Sequence, residues 1–148
     1  MNTTYDTIES IIGQRFTSDP FEISQERIVQ FADATNDHQW IHIDEERAAK
    51  GPFGGTVAHG YLTLSLLVPL VQNVGLFPED VSAVINYGLN KLRFINPVTA
   101  GGSITLQGQV SDVSERRDGQ KLLTVQCEVQ GAGGKTVLAT EALFLLVR

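Results

Sequence analysis

The feature that most limits how this chain can fold is an apolar run in its middle, residues 58–75. Between Leu62 and Val71 no continuous polar face remains at helical spacing, which predicts a helix buried nearly all round. Pro69 cannot donate a hydrogen bond to the carbonyl of Ser65, so we expect a bend or a helix end nearby. A membrane span needs about 20 apolar residues, and polar residues interrupt this run too early, so we expect a soluble protein.

A glycine just before this run gives the first indication of function. Because Gly60 has no side chain, a ligand can approach the free N–H groups and the positive dipole end of the first helical turn. A glycine that merely eases a loop into the helix explains the same residue. Both interpretations stay open at this point.

Composition and charge narrow the class of protein. The chain has 148 residues, which suits a single domain over residues 1–148 with a sizeable core. Its net charge of -6 argues against nucleic acid as a partner, because phosphate contacts need a basic surface. The one cysteine, Cys127, excludes an intrachain disulfide and a cysteine metal cluster. The first residues lack the basic and apolar regions of a signal peptide, so we expect a cytoplasmic location.

Helix signals precede the apolar run, and strand signals follow it. Ser24 is the predicted N-cap of a helix that ends near Asn36, and Asp44 is the predicted cap of a short helix over residues 45–50. Beyond the run, apolar residues alternate in four long strands joined mostly by short turns, with the last strand in the middle of the sheet and covered on both faces. This order predicts an α+β fold, an antiparallel sheet with a helix packed against it.

The segment between the two early helices, residues 36–44, is crowded with titratable groups. Asp37 and His42, five positions apart in an irregular loop, can converge on one small molecule and exchange protons with it. Two other interpretations remain. Asp37 can bond its own backbone while the histidines are solvated, or His38 and His42 can bind a metal ion with His59 joining from a distance.

Two stretches of the chain resemble a known enzyme family. Residues 31–44, Phe-Ala-Asp-Ala-Thr-Asn-Asp-His-Gln-Trp-Ile-His-Ile-Asp, followed by Ala-His-Gly at 58–60, resemble the hydratase motif of the MaoC-like, (R)-specific enoyl-CoA hydratases. Together with Ile-Asn-Tyr-Gly-Leu-Asn-Lys-Leu-Arg-Phe at 85–94, the motif is most similar to the nodulation-protein-N-like branch. The resemblance implies a hot dog fold, a long central helix wrapped by a curved antiparallel sheet, usually paired into a dimer with two sites at the interface.

The resemblance also assigns roles by position. The family's catalytic aspartate and histidine fall on Asp37 and His42, and Gln39 occupies the amide position between them. His59 is expected to position the turn before the helix rather than to transfer protons. Ser65 matches a polar helix residue near the site in relatives, with a satisfied helical serine as the alternative.

Three positions depart from the family's usual pattern. Asn36 stands where glycine is common, Gln39 where asparagine is common, and Trp40 where proline is common. Because the aspartate and the histidine are retained, the chemistry should survive. Trp40 is expected to reshape the acyl pocket.

The reaction that the resemblance implies is reversible hydration of a trans-2-enoyl thioester to an (R)-3-hydroxyacyl-CoA. Asp37 and His42 are expected to hold one water between them, deprotonate it for attack at C3 and return a proton to C2. The N–H of Gly60 is expected to stabilise the charge that develops on the thioester oxygen. Coenzyme A is part of the substrate, so no separate cofactor or metal is implied.

Substrate contacts are also expected at a β-bulge, which a shift of apolar parity predicts near Asn90 and Lys91. Asn90 is a candidate contact, and Lys91 or Arg93 is a candidate for the coenzyme A phosphates, with solvated strand charges as the alternative. The expected partners are an acyl-CoA or acyl-carrier thioester and a second copy of the chain. Two other functions stay open, a hot dog acyl-CoA thioesterase and a non-catalytic acyl-CoA-binding module.

Overall fold

One antiparallel sheet organises the chain. The computed structural model describes residues 1–148. The strands are β1 (Arg15–Thr17), β2 (Phe21–Glu22), β3 (Ala83–Phe94), β4 (Ser103–Glu115), β5 (Lys121–Gln130) and β6 (Thr136–Val147). They lie in the order β1-β4-β5-β6-β3, with β2 also paired to β4, and all pairs are antiparallel. The prediction of four long antiparallel strands is confirmed.

The last strand, β6, lies between β5 and β3, as predicted. Its side chains largely alternate between buried and half-buried, so the prediction that both faces are covered is wrong for one face in this chain. The predicted bulge is present in β3, where the register shifts between Asn90 and Arg93 and Lys91 has a φ of 53°. An extra residue on one strand re-aims the side chains that follow it.

Short helices connect the start of the chain to the sheet. They are α1 (Gln25–Thr35), α2 (Trp40–Ile43), α3 (Glu45–Ala49), α4 (Gly60–Ser65) and α5 (Leu67–Asn73), after a 3-10 helix at Tyr5–Ile11. The predicted caps are present, because Ser24 accepts from the N–H of Arg27 and Asp44 accepts from that of Arg47. Asn36 ends α1 in the left-handed conformation, with a φ of 58°.

The apolar run forms α4 and α5, which meet at Leu66. The break lies just before Pro69, whose missing N–H leaves the carbonyl of Ser65 without its helical partner, so the predicted bend is confirmed. The prediction of burial nearly all round is wrong for one side, since Tyr61 and Ser65 are exposed. The elements of this chain cover only the other side of the helix pair. No helix of the structure is long and apolar enough to cross a membrane.

The hydrophobic core fills the space between the helix pair and the sheet. One cluster joins buried side chains of α4 and α5 to those of β4, β5 and β6, among them Leu70, Val71, Val110, Leu123 and Leu146. The core therefore holds α4 against the sheet. Residues 56–59 form the loop before α4 and lie beside α2, where the backbone N–H of Val57 donates to the carbonyl of Ile41.

Candidate active site

His42 lies on α2, a one-turn helix within the segment that was predicted to be an irregular loop. The backbone N–H groups of His42 and Asp44 donate to the carbonyls of Gln39 and Trp40, each at 3.0 Å. The expectation of an irregular segment is therefore wrong for this stretch. Four residues are too few to show a helical period in the sequence, which is why the turn was not predicted.

The ring of His42 is buried, with 7% of the residue exposed, and its orientation is fixed by one backbone group. Nδ1 of His42 lies 2.6 Å from the carbonyl oxygen of Val57. Because a carbonyl oxygen can only accept, Nδ1 carries a hydrogen, and in the neutral ring the free lone pair is then on Nε2. The structure thus presents Nε2 of His42 as a proton acceptor.

Asp37 lies in the loop after α1, and its side chain is 52% exposed. One carboxylate oxygen accepts a long bond of 3.4 Å from the N–H of Gln39, so Asp37 does bond its own backbone. The other half of that interpretation is wrong for two of the three histidines, since His42 and His59 are buried. The third, His38, is exposed and bonds to Asp33 at 2.8 Å.

His59 connects the two predicted catalytic residues. Its ring stacks on His42 with centroids 3.8 Å apart and an angle of 22° between the planes. Its Nε2–H donates to the backbone carbonyl of Asp37 at 3.0 Å and lies 4.0 Å from a carboxylate oxygen of the same residue. Burial lowers the pKa of His59 despite the bond to Asp37, so its ring is neutral at pH 7. The predicted positioning role is consistent with these contacts.

One polar side-chain atom from each of Asp37, His42 and His59 lies within 4.8 Å of the other two. A water that hydrogen-bonds to two groups at about 2.8 Å each can bridge atoms up to about 5.5 Å apart. One water can therefore bridge the carboxylate of Asp37 and the ring of His42.

The same three residues offer a poor metal site. Stacked imidazoles direct their lone pairs side by side rather than toward one point, and the 3.8 Å stack of His42 and His59 is nearly parallel. Nδ1 of His42 and Nε2 of His59 are also occupied by backbone carbonyls. His38, the other ligand of the metal interpretation, bonds outward to Asp33. The donor set suits proton transfer better than metal coordination.

Gly60 is the first residue of α4 and is exposed. A Cβ atom built there would lie 3.2 Å from the ring of Phe94, so close packing is one reason for a glycine at this position. The Phe94 ring in turn meets Tyr61 edge-on, with centroids 5.8 Å apart. Two aromatic rings therefore flank the open N-terminus of α4.

The other predicted contacts lie farther from the pair. Gln39 caps α2 through its backbone, and its side chain is exposed and forms no hydrogen bond. Asn90 donates to Glu141 at 2.7 Å, and Arg93 donates to the carbonyl of Leu92 at 2.7 Å. Neither Asn90 nor Arg93 bonds to the two predicted catalytic residues within this chain.

Ser65 is a satisfied helical serine, since its hydroxyl donates to the carbonyl of Tyr61 at 2.7 Å. It also borders a mostly apolar cavity of about 370 Å³ between α4, α5, β3 and β6, lined among others by Val68, Leu89 and Phe144. The lining of this cavity includes neither the predicted catalytic pair nor Gly60.

Gln25, the first residue of α1, contacts the site although no sequence pattern predicts it. Its side-chain Nε2 donates to the carbonyl of His42 at 2.8 Å, and the hydroxyl of Thr56 donates to its Oε1. A glutamine in the first turn of a helix carries no local signal for a contact 17 residues away. The carbonyl of Val57, which fixes the His42 ring, has no sequence signal at all.

The buried His59 predicts a pH dependence of stability. Its pKa is lowered in the folded chain, so as pH falls toward the ordinary histidine pKa of about 6.5 the unfolded chain takes up a proton first. The free energy of unfolding, measured with urea, should therefore decrease between about pH 7 and pH 5. In His59→Gln this decrease should be smaller, while Gln30→Leu, a change at an exposed residue that does not titrate, should keep the wild-type slope. Equal slopes in the wild type and in His59→Gln would refute the assignment.

Comparisons with known proteins place the chain in a family. A model of the MaoC like domain matches residues 7–132. The 3-hydroxyacyl-thioester dehydratase Z of Mycobacterium tuberculosis is 47% identical over 122 residues, which cover 82% of this chain and 78% of that protein. Nodulation protein N of Rhizobium meliloti is 45% identical over 114 residues, 74% of this chain and 70% of that protein.

Solved structures support the same fold. A monoamine oxidase regulatory protein from Archaeoglobus fulgius superposes with a TM-score of 0.80 at 30% identity, covering 99% of this chain and 96% of that one. The unliganded R-hydratase PhaJ1 from Pseudomonas aeruginosa superposes with a TM-score of 0.76 at 24% identity, covering 99% and 87%. The predicted α+β hot dog fold is confirmed. With a domain match over most of its length and relatives of this similarity, the chain belongs to the MaoC-like dehydratase family.

Proposed function

We propose that this chain is an (R)-specific enoyl-CoA hydratase, a 3-hydroxyacyl-thioester dehydratase in the reverse direction. The observation that carries the proposal is the pairing of Asp37 with His42, whose polar atoms lie within 4.8 Å beside the first residue of α4. The dehydratase and hydratase names of similar proteins support the same reaction.

In the proposed mechanism the carboxylate of Asp37 and Nε2 of His42 hold one water. The pair takes a proton from this water as its oxygen attacks C3 of the enoyl thioester, and a proton from the pair is delivered to C2 on the same face. The bond from Nδ1 of His42 to the Val57 carbonyl keeps the imidazole in the tautomer that can accept at Nε2. Neutral His59 holds the loop of Asp37 in place without adding positive charge.

Negative charge develops on the thioester oxygen during the attack. We assign its stabilisation to the N–H of Gly60, because this residue opens α4 and carries no side chain that would block an approaching carbonyl. In comparable sites one such donor is worth about 3 kcal/mol. The ring of Phe94, packed on Gly60, then limits access to this donor from one side.

The apolar cavity beside Ser65 is the proposed site for the acyl chain. Ser65 lies five residues after Gly60 on α4, about 7.5 Å along the helix axis at 1.5 Å per residue. An acyl chain whose carbonyl is at Gly60 must therefore extend at least this distance along the helix to enter the cavity. We further propose that Lys91 and Arg93, which are both exposed, bind the phosphates of coenzyme A. Asn90 and Gln39 are the proposed further contacts of the substrate. The proposed reaction uses no metal and no separate cofactor.

We also propose that two copies of the chain pair through β3. This strand is the last in the sheet order, so its outer edge of 12 residues is unpaired, and Ile85, Tyr87 and Leu89 on it are exposed. Unpaired edges of this length are rarely left open in native proteins, and a second copy offers an identical edge. The exposed side of α4 and α5, with Tyr61 and Ser65, is continuous with this surface through the cavity that β3 also lines.

Sedimentation should therefore show a dimer for the wild type at micromolar concentration. Ile85→Lys places a charge on the proposed interface and should shift the equilibrium to monomer. Val29→Lys, a matched change at an exposed apolar residue of α1, should leave the dimer intact. A wild-type chain that sediments as a monomer would contradict the proposal.

A turnover assay with crotonyl-CoA tests the function directly. Loss of the enoyl absorbance with no free thiol, and formation of 3-hydroxybutyryl-CoA, is the expected result, unchanged after dialysis against a chelator. Released thiol without the hydroxyacyl product would favour the thioesterase alternative. Binding with no turnover would favour an acyl-CoA-binding module.

We also propose that the protein is located in the cytoplasm, which cell fractionation tests.

A further inference from the structure

The amide of Gln25 bridges the two segments that hold His42. Its Nε2 donates to the backbone carbonyl of His42 at 2.8 Å, and its Oε1 accepts from the hydroxyl of Thr56. Thr56 is only 5% exposed, and Gln25 is half-buried. One side chain therefore ties α2 to residues 56–57.

Residues 56–57 hydrogen-bond both to α2 and to the imidazole ring of His42. The N–H of Val57 donates to the carbonyl of Ile41 at 3.0 Å, and the carbonyl of Val57 accepts from Nδ1 of His42 at 2.6 Å. The carbonyl of Thr56 accepts from Ala100 at 3.0 Å, so the segment is anchored to the chain that leads into β4. The direction of the imidazole thus depends on how α2 is placed against this segment.

A helix of four residues cannot hold this placement by itself. α2 has a single turn of internal hydrogen bonds, and isolated helices of this length are unstable without tertiary contacts. Gln25 supplies such a contact from α1, an 11-residue helix with its own side-chain cap. The amide of Gln25 supplies both the donor for the His42 carbonyl and the acceptor for the Thr56 hydroxyl, which a hydrocarbon side chain of similar size cannot do.

We propose that Gln25 is a positioning residue that fixes α2 against residues 56–57 and so keeps Nε2 of His42 directed at the reacting water. The inference rests on the proposed hydratase function, in which His42 transfers the proton. Gln25 acts through His42 and does not itself exchange protons.

The test removes the bridge and leaves the catalytic pair in place. Gln25→Leu keeps the approximate size of the side chain and loses both hydrogen bonds, and Thr56→Val loses only the hydroxyl. Both should lower kcat for crotonyl-CoA, Gln25→Leu by about 10-fold to 100-fold, with a much smaller change in KM, because a displacement near 1 Å costs about that much in a proton-transfer step. Thr56→Ser, which keeps the hydroxyl, should restore wild-type kcat. Gln30→Leu, a matched change on the exposed side of α1, should have no effect.

A second readout follows the imidazole directly. In ¹⁵N-labelled wild-type protein the Nδ1–H proton of His42, bonded to the Val57 carbonyl, should exchange slowly with water. In Gln25→Leu and Thr56→Val it should exchange faster, while Gln30→Leu and Thr56→Ser should behave as the wild type. Wild-type kcat and wild-type proton exchange in both Gln25→Leu and Thr56→Val would overturn the proposal.

The two proposals fail in different ways. If the wild type does not hydrate crotonyl-CoA, the proposed function fails, yet the exchange of the His42 proton still reports whether Gln25 positions the ring. If the wild type is active and the bridge variants equal it, the positioning role fails alone. Should Gln25→Leu not fold, Thr56→Val gives both readouts with a smaller change.

Discussion

Replacing Asp37 by Asn should lower kcat for the hydration of crotonyl-CoA by about a hundredfold or more. The amide has nearly the shape of the carboxylate but cannot accept a proton from the water. KM should change much less, because the side chain of Asp37 is half exposed and is proposed to meet the water rather than the acyl group. Steady-state kinetics of the purified variant measure both quantities.

The chain offers a matched control for this change in Asp33. It is an exposed aspartate four residues earlier, and its carboxylate bonds to His38 outside the site. Asp33→Asn removes the same charge and should keep wild-type kcat. If Asp37→Asn retained activity within about threefold of the wild type, the carboxylate could not be the proton acceptor. Urea unfolding of both variants separates a catalytic loss from a folding defect.

Local chemistry in the sequence was enough to place the early helices. Ser24 and Asp44 each accept from a backbone N–H three residues later, and Asn36 adopts the left-handed conformation, so their capping roles can be read from neighbouring positions. The strands were also predictable, because the alternation along β4, β6 and the second half of β5 follows directly from one buried face. These elements needed no knowledge of what packs against them.

The surroundings of the apolar run could not be read in the same way. Its composition predicted burial on all sides, while the side with Tyr61 and Ser65 is open in the single chain. Apolar content reports that a surface avoids water and not which molecule covers it. An open apolar side next to the unpaired edge of β3 is what a partner copy or an acyl chain would cover.

For the candidate site, too, the sequence predicted one part and not the other. Asp37 and His42 were found through a motif resemblance, since spacing alone left a solvated loop and a metal site as alternatives. Their orientation came only from the structure, because it depends on Val57, His59 and Gln25, which lie 12 or more residues from Asp37 in the sequence. Contacts over that separation leave no period or local pattern.

The double variant Asp37→Asn, His42→Gln should be hardly slower than the more damaging single variant. Each single change removes proton transfer and should cost about 10² to 10⁴ in kcat. If the two groups act on one shared water, removing the first already abolishes most of what the second contributes, so the losses do not multiply. Two observations support this expectation. One polar atom of Asp37 and one of His42 lie within 4.8 Å of each other, and the ring of His42 stacks on that of His59.

The pair Asp33 and His38 provides the control for this cycle. It contains the same two residue types, bonded at 2.8 Å on the exposed side of the loop. Asp33→Asn combined with His38→Gln should retain wild-type kcat, which shows that removing an Asp and a His from this region is not harmful in itself. Losses at Asp37 and His42 that multiply would mean that the two groups act independently, in separate steps or on separate molecules. In that case the shared water, and with it the proposed same-face addition, would have to be abandoned.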